Sequence, residues 1–465
     1  MARTRDEIDM LNGPITGKLI RFALPLIFSG MLQLLFNAAD VIVVGNFCGS
    51  NAMAAVGSNG SVINLIINLF MGVSVGTNVV VARAWGRQHA DSVFRTVHSA
   101  ILLSVIVGLM AGAAGLIAAP QILQLMSVPE EILPLSTEYL RIYFLGIPAT
   151  VVYNFGAAIL RAIGDTKRPM YFLTAAGILN VVCNLILVIL FDLGVAGVAI
   201  ASAASQYLAA ILVLRCLTKK ENSCRLSFRK LHLYREETLE MIRIGIPAGL
   251  QGTIFDISNV LIQSSVNGFG ATFVAGNVAA SNLCGLIYTG MNAFYHAAVS
   301  FTSQNVGAGK PERLPRILLT CYALVASIGV FAGGLLNLFG SFFLGLYNRD
   351  AAVIAAGIIR LRWVGLPYFL CGMMEVGCGF VRGTGRAWLP MIVSLLGSCA
   401  FRIIWIYTVF AANPTPGMLF ISYPISWLIT WGAHTVCAVD SIRRMRVLLT
   451  PKPKSDMPAF ELPKK

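Results

Sequence analysis

Charged residues are scarce in this chain of 465 residues, since they make up 12% of it while hydrophobic residues make up 57%. An ordinary soluble domain is about one quarter charged, so this class of protein is excluded. Apolar runs of roughly 20 or more residues are long enough to cross a bilayer as helices. Because these runs are continuously apolar rather than alternating, they indicate helices and exclude a membrane β-barrel.

Residues that bind metals or perform covalent catalysis are few and scattered. The five histidines and ten cysteines form no CxxC pair and no cluster with metal-ligand spacing. We therefore expect no enzyme, no catalytic residue, no metal and no cofactor. The segment Gly307–Pro311 lacks the spacing of a phosphate-binding loop, which excludes a nucleotide-driven pump. The amino terminus shows no cleavable leader, so the first apolar run is expected to stay as an anchor.

The apolar runs predict twelve transmembrane helices in an all-α integral membrane protein. Most of the 35 Lys and Arg residues fall in every second connection, so the positive-inside rule places both termini in the cytoplasm of a multi-pass protein of the inner cell membrane. This pattern explains the net charge of +14 without a nucleic-acid partner. The predicted spans are 17–44, 52–80, 94–118, 137–160, 169–190, 194–216, 240–267, 273–303, 314–340, 352–381, 388–411 and 416–440.

The chain is an internal duplication. A shift of about 221 residues aligns Arg95 with Arg316 and Gly146-Ile147-Pro148 with Gly365-Leu366-Pro367. Each half holds six spans, an even number, so the halves form a parallel repeat about a pseudo-twofold axis along the membrane normal. The predicted units are a first six-helix half at 1–216, a cytoplasmic linker at 217–239, a second six-helix half at 240–442 and a basic cytoplasmic tail at 443–465.

The order and spacing of several motifs resemble the MATE (multidrug and toxic compound extrusion) family, bacterial type. The resemblance implies a V-shaped pair of six-helix bundles. It also implies export of cationic or amphiphilic drugs and toxins in exchange for H⁺ or Na⁺ by alternating access, by a monomer among membrane lipids. The residues that carry it are Pro25, Gln33, Asp40, Gly146-Ile147-Pro148, Leu160-Arg161-Ala162-Ile163-Gly164-Asp165, Asn180, Gly194-Val195-Ala196-Gly197, Gly365-Leu366-Pro367, Met374-Glu375-Val376 and Arg382-Gly383-Thr384-Gly385.

Acidic residues are rare inside the predicted spans, where only Asp40, Asp256 and Glu375 occur. A charge near the middle of a membrane helix costs about 2.5–3.5 kcal/mol on insertion scales. Each carboxylate is therefore a candidate to bind a proton, Na⁺ or a cationic drug. The alternative is a structural hydrogen bond or ion pair to a neighbouring helix.

Asp40 continues a polar stripe with Gln33 and Asn37, at helical spacing, which predicts that the two amides line a substrate cavity. The family resemblance implies that Asp40 is the leading coupling residue. Pro25 removes a backbone hydrogen bond from the same helix and permits a kink. The kink is either a conformational switch or a fixed bend.

Asn180 and Asn184 are one helical turn apart and are predicted to face the same cavity, together with Asn154. Many MATE proteins carry Asp where this chain has Asn184. An amide ligates a cation but takes up no proton near neutral pH. A mechanism with two carboxylates is therefore in doubt for this half.

In the second half, Asp256 is followed at helical spacing by Asn259 and Gln263, which predicts a second polar stripe. Glu375 is a candidate coupling residue and Arg402 a candidate conformational residue. The alternative is a structural ion pair between them that holds the tenth and eleventh spans together. Tyr288 and Met291 are adaptable wall residues for an organic substrate, or alternatively packing residues.

Two arginines near the outer end of the tenth span, Arg360 and Arg362, are expected to extend towards the membrane surface. The rival functional hypothesis is a flippase of a lipid-linked sugar, or an exporter of another endogenous metabolite, on the same fold. The Gln, Asn and Asp residues of the first half favour a cationic substrate over the pyrophosphate of such a lipid.

Overall fold

The computed structural model describes residues 7–126 and 128–449, and no β-strand occurs in these ranges. The first six residues, with the basic Arg3 and Arg5, and residues 450–465 of the predicted tail lie outside these ranges. Twelve long helices run through the described residues: α1 Thr16–Phe47, α2 Gly49–Gly86, α3 Ala90–Leu125, α4 Leu133–Ala162, α5 Lys167–Leu190, α6 Gly194–Thr218, α7 Arg235–Asn267, α8 Ala271–Gly307, α9 Leu314–Leu338, α10 Ala351–Gly383, α11 Trp388–Phe410 and α12 Ser422–Leu449.

Ten of the described helices are long and apolar enough to cross a membrane, and α7 and α12 are equally long but more polar. This agrees with the predicted all-α membrane fold. A short helix at Gly340–Gly345 was not predicted, and the predicted span 416–440 is divided into a short helix at Pro416–Phe420 and α12. Residues 443–449, assigned from the sequence to the tail, instead continue α12.

The duplicated Gly-x-Pro motif has different effects in the two halves. Pro148 lies inside α4 without interrupting it. Its counterpart Pro367 lies in a 3₁₀ turn, Leu366–Tyr368, which follows a π-helical turn, Leu361–Gly365, within α10. Proline lacks the donor that would continue the helix, and π-helical turns are common at functional sites. The α-helical hydrogen bonding is therefore interrupted at this motif in the second half only.

The two halves, α1–α6 and α7–α12, meet near the ends of the helices that border the Lys- and Arg-rich connections, which we call the basic end. There Gly86 packs against the backbone of Gln304, and Gly307 packs against the backbone of Arg83. The repeat of 221 residues relates Gly86 to Gly307 and Arg83 to Gln304, so the two contacts are equivalent, as a pseudo-twofold axis requires.

Helices α2 and α7 also approach each other closely across the two halves. A Cβ atom added at Gly72 would lie 2.3 Å from the amide nitrogen of Gly249, and one at Gly76 would lie 2.1 Å from the carbonyl oxygen of Met241. Small residues allow such close helix packing within a membrane. Away from the basic end, Met53 of α2 and Val260 of α7 are exposed, so the facing half covers neither of them.

Residues 7–13, which we call the N-terminal strap, cross both halves at the basic end. The amide of Ile8 donates to the carbonyl of Gly164 in the first half, at 3.2 Å. The Nδ2 atom of Asn305, in the second half, donates to the carbonyl of Met10 at 3.1 Å. Met10 is fully buried. The strap therefore holds the halves together on the side where they are closed.

Candidate functional site

The first candidate site joins three helices of the first half around Asp40. Asn184 Nδ2 donates to Asp40 Oδ1 at 2.5 Å and is within 3.3 Å of Asn180 Oδ1. Asn180 Nδ2 donates to Ser202 Oγ of α6 at 3.3 Å. The two asparagines and Ser202 are buried. Two asparagines one turn apart at the end of α5 thus link the α1 carboxylate to α6.

No Lys, Arg or His lies within 4 Å of the Asp40 carboxylate among the described residues, so this carboxylate has only neutral partners. The carbonyl oxygen of the Asn184 side chain is also buried without a hydrogen-bond partner there. A buried charge without a counter-charge costs much more than an unpaired neutral group. The site is therefore suited to bind a proton or a hard cation with oxygen ligands.

The second candidate site is a cavity of about 480 Å³ in the second half. Residues of α7, α8, α10, α11 and α12 line it, and α2 closes it on the side of the first half. Asn68 of α2 donates to Asp256 Oδ2 at 3.0 Å, so this carboxylate bonds across the two halves. The predicted residues that line the cavity are Asp256, Asn259, Gln263, Tyr288, Glu375 and Arg402.

Three arginines line the same cavity, namely Arg360, Arg382 and Arg402. Arg360 Nη1 donates to Asn277 Oδ1 at 2.6 Å. Arg382 donates to the hydroxyl of Tyr295 at 2.7 Å and to Gln251 Oε1 at 2.6 Å. Neutral oxygens thus accept hydrogen bonds from the terminal nitrogens of Arg360 and Arg382. None of the three arginines forms an ion pair within the described part of the chain.

Arg402 is 3% exposed, and its Nε donates to Ser426 Oγ at 2.9 Å. Its guanidinium carbon lies 4.1 Å from the centroid of the Tyr423 ring and 5.6 Å from that of Trp427. A desolvated cation–π contact contributes about 2 kcal/mol or more, whereas removing an ion from water costs several kcal/mol. The aromatic rings therefore offset only part of the cost of burying this charge.

The structure does not form the predicted ion pair between Glu375 and Arg402. No nitrogen of Arg402 lies within 4 Å of a Glu375 oxygen, and α12 rather than α10 supplies the partners of Arg402. The prediction for Arg360 is also wrong, because this side chain turns to Asn277 instead of extending to the membrane surface. Arg362, two residues later, is exposed as expected.

Four predicted cavity residues lie outside both sites. Gln33 and Asn37 are exposed on α1, and neither lines the 480 Å³ cavity. Asn154 is buried but forms no hydrogen bond with the Asp40 cluster, and Met291 is buried in the core of the second half. Helical spacing places polar residues on one face of a helix, but it does not show whether that face meets lipid, the cleft between the halves or a cavity.

Several site residues escaped the sequence analysis. Arg382 was named only as part of a family motif, but it is 3% exposed and lies inside the bundle. Ser202 was not singled out, and its contact with Asn180 depends on the packing of α5 against α6. Asn68 and Gln251 are neutral residues within apolar runs, and only the packing of the helices reveals their partners.

The MatE family model matches the chain twice, at residues 25–186 and 247–408. These matches are offset by 222 residues at both ends, in agreement with the duplication. The chain is 27% identical to the probable multidrug resistance protein YpnP of Bacillus subtilis (strain 168), over 85% of this chain and 88% of that protein.

A further relative is the FAD transporter of Shewanella oneidensis, 27% identical over 68% of this chain and 70% of that protein. Among solved structures, the outward-facing conformation of a multidrug resistance MATE family transporter of the MOP superfamily superposes with a TM-score of 0.87 at 23% identity, covering 96% of this chain and 99% of that chain. With both halves matched and the twelve-helix fold shared, the chain belongs to the MatE family of membrane transporters.

Proposed function

We propose that the protein is a secondary antiporter that exports small cationic or amphiphilic organic compounds in exchange for H⁺ or Na⁺. The observation that carries this proposal is the contact between Asp40 and Asn184, which leaves a membrane carboxylate with neutral partners only. Binding of a proton or Na⁺ neutralises that carboxylate. A change of charge at the junction of α1, α5 and α6 then alters the packing of the first half.

The proposed orientation places the basic end and both termini in the cytoplasm of the inner cell membrane, following the positive-inside rule. Closure at the basic end then corresponds to a state open to the outside. Substrate enters from the cytoplasm when the halves separate at the basic end, and it leaves from the state described here. The proposed unit is a monomer, surrounded by membrane lipid, which needs a coupling ion and no cofactor.

The coupling role of Asp40 is tested with purified protein in proteoliposomes, with ethidium as the organic cation. A pH gradient and a Na⁺ gradient are applied in separate experiments. Asp40→Asn keeps the size of the side chain and its contact with Asn184 but removes the charge. We expect this variant to lose ion-driven ethidium transport under whichever gradient drives the unmodified protein.

Asp192→Asn is the matched control, because Asp192 is an exposed carboxylate in the loop between α5 and α6. Its backbone φ of 52° is one that Asn tolerates. This variant should transport at the unmodified rate. Full ethidium transport by Asp40→Asn under both gradients contradicts the coupling role.

A second candidate function is export of an endogenous anionic metabolite. The three arginines of the second cavity favour it, as does the similarity to a protein named as an FAD transporter. The same proteoliposomes loaded with FAD test it. Ion-driven movement of FAD without movement of ethidium would support this candidate over the first.

A further inference from the structure

The guanidinium of Arg402 has two free nitrogens inside the second cavity. Nε bonds to Ser426, whereas Nη1 and Nη2 have no hydrogen-bond partner among the described residues, and Nη2 is fully buried. Nη1 and Nη2 form the fork with which an arginine binds two oxygens of a carboxylate or phosphate. Ser426 and the ring of Tyr423 hold the group in place.

The other arginines of the cavity are differently engaged. Arg360 and Arg382 each direct both terminal nitrogens to neutral oxygens, those of Asn277 and Ser281 for Arg360 and those of Tyr295 and Gln251 for Arg382. They add positive charge to the cavity without offering a free fork. Each of these two has only a buried Nε without a partner, whereas Arg402 is the one of the three whose Nη1 and Nη2 are both without one among the described residues.

Arg360 contacts the same aromatic ring as Arg402, because its guanidinium carbon is 5.8 Å from the centroid of the Tyr423 ring. The carboxylates of Asp256 and Glu375 also line the cavity, but neither lies within 4 Å of Arg402. Three arginines against two carboxylates leave the lining with an excess of positive charge. The site therefore attracts an anionic group that the chain itself does not supply.

The walls of the cavity are aromatic as well as basic, since Tyr288, Tyr295, Tyr368, Tyr423 and Trp427 all line it. A volume of about 480 Å³ falls in the range that holds a compound of drug size. Flat rings of a ligand pack against such walls while its acidic group reaches the fork.

We propose that Arg402 binds the carboxylate or phosphate group of an aromatic organic acid in the second-half cavity. The proposal rests on the second candidate function, export of an anionic metabolite, and it names the chemical class of that substrate. It also gives the two halves different tasks. Ion binding then belongs to the Asp40 cluster, and recognition of the acidic group belongs to Arg402.

The test measures equilibrium binding of 2-naphthoate to the purified full-length protein in a neutral detergent, by dialysis. The cation 2-naphthylmethylammonium, with the same ring system, is measured alongside. We expect the unmodified protein to bind the anion at least tenfold more tightly than the cation. Because each hydrogen bond between charged groups is strong, Arg402→Gln should weaken naphthoate binding by about ten- to a hundredfold.

Arg362→Gln is the matched control, because Arg362 is an exposed arginine on α10 outside the cavity lining, and it should bind naphthoate normally. Arg402→Lys keeps the charge but removes the fork, and it should recover only a small part of the affinity. Normal naphthoate binding by Arg402→Gln overturns the proposal, as does equal binding of anion and cation by the unmodified protein. Full recovery with Arg402→Lys overturns the role of the fork.

The acidic group has two sources, a soluble aromatic acid or the headgroup of an anionic lipid. Adding phosphatidylglycerol to the dialysis separates them. Displacement of naphthoate from the unmodified protein indicates a lipid source, and retention of naphthoate supports a soluble acid. The binding assay uses no ion gradient, so its failure is distinguishable from a failure of ion-coupled transport in proteoliposomes.

Discussion

At the residue scale, buried charges in this protein differ in how they are compensated. Outside the membrane-spanning helices, Lys220 Nζ lies 2.7 Å from Glu7 Oε1 and 3.5 Å from Asp165 Oδ2, with all three side chains nearly inaccessible to solvent. Within the membrane, Asp40 and Arg402 have neutral partners only. The compensated charges hold the strap in place, and the uncompensated ones are the candidates for ion and substrate binding.

We predict that Lys220→Met destabilises the protein by about 1.5–3 kcal/mol near neutral pH, because it removes the cation shared by two buried carboxylates. Asp165 keeps its ion pair with Arg168, at 3.4 Å, so the loss stays below that of a fully uncompensated buried charge. Thermal unfolding in detergent, followed by tryptophan fluorescence, measures the loss. The neighbouring Lys219 is exposed, and Lys219→Met should leave the unfolding temperature unchanged. Equal unfolding temperatures for both variants contradict the structural role of the buried ion pairs.

The loss should also depend on pH. Burial raises the pKa of the Asp165 carboxyl above its ordinary value despite the nearby Lys220. The stability that a bound proton contributes there is present at low pH and is lost as the pH rises from the ordinary pKa of Asp towards the raised one. A protonated carboxyl needs no cation, so the difference between Lys220→Met and the unmodified protein should shrink as the pH falls towards the ordinary pKa of Asp.

At the scale of elements, the α2–α7 contact extends the close packing of the halves from the basic end along the two helices. The glycines at Gly72, Gly76, Gly245 and Gly249 bring the two backbones together, and a side chain at any of them meets backbone atoms of the facing helix. Backbone atoms cannot rotate away as a flexible side chain can, so the helices themselves have to separate.

We predict that Gly76→Ala moves α2 away from α7 and favours the state that is open at the basic end. Distances between spin labels at Arg87 and Glu312, one in each half and both exposed, should increase. Overpacking of this kind typically costs about 1–3 kcal/mol, so the unfolding temperature should fall as well.

Gly57→Ala is the control on the same helix, since a Cβ atom at Gly57 meets nothing within 4 Å. It should leave both the label distances and the unfolding temperature unchanged. Unaltered label distances in Gly76→Ala would show that closure at the basic end does not depend on this close approach.

At the scale of the whole molecule, a duplicated scaffold carries sites that are not duplicated. The repeat relates Gly86 to Gly307 at the closure. Asp40 instead maps to Ile262 and Asp256 to Leu34. The first half therefore has a small polar cluster at Asp40, and the second half has a larger basic cavity.

The proposed orientation predicts which face of the membrane a protease attacks. Trypsin should cut the linker at the exposed Arg229 in inside-out vesicles and leave it intact in right-side-out vesicles. The exposed Arg349, between α9 and α10 at the opposite end, should show the reverse pattern. Cleavage at Arg229 in right-side-out vesicles would show that the basic end faces the outside. The variant Arg349→Gln should lack the cut at residue 349 and so identifies that fragment.

The sequence by itself determined the membrane class, the helices and the duplication. Apolar runs and the backbone's need for internal hydrogen bonds in lipid leave few alternatives to membrane helices. The adjacency of Asn180 and Asn184 also follows from local spacing. These features depend on residues close together in the chain.

Only the tertiary structure decided which side chains from distant helices meet. Asp40 contacts Asn184, and Arg402 contacts Ser426 and Tyr423 rather than Glu375. Arg360 and Arg382 line the same cavity as Arg402. Helix rotation and crossing set these contacts, and an apolar span of the same composition permits many rotations.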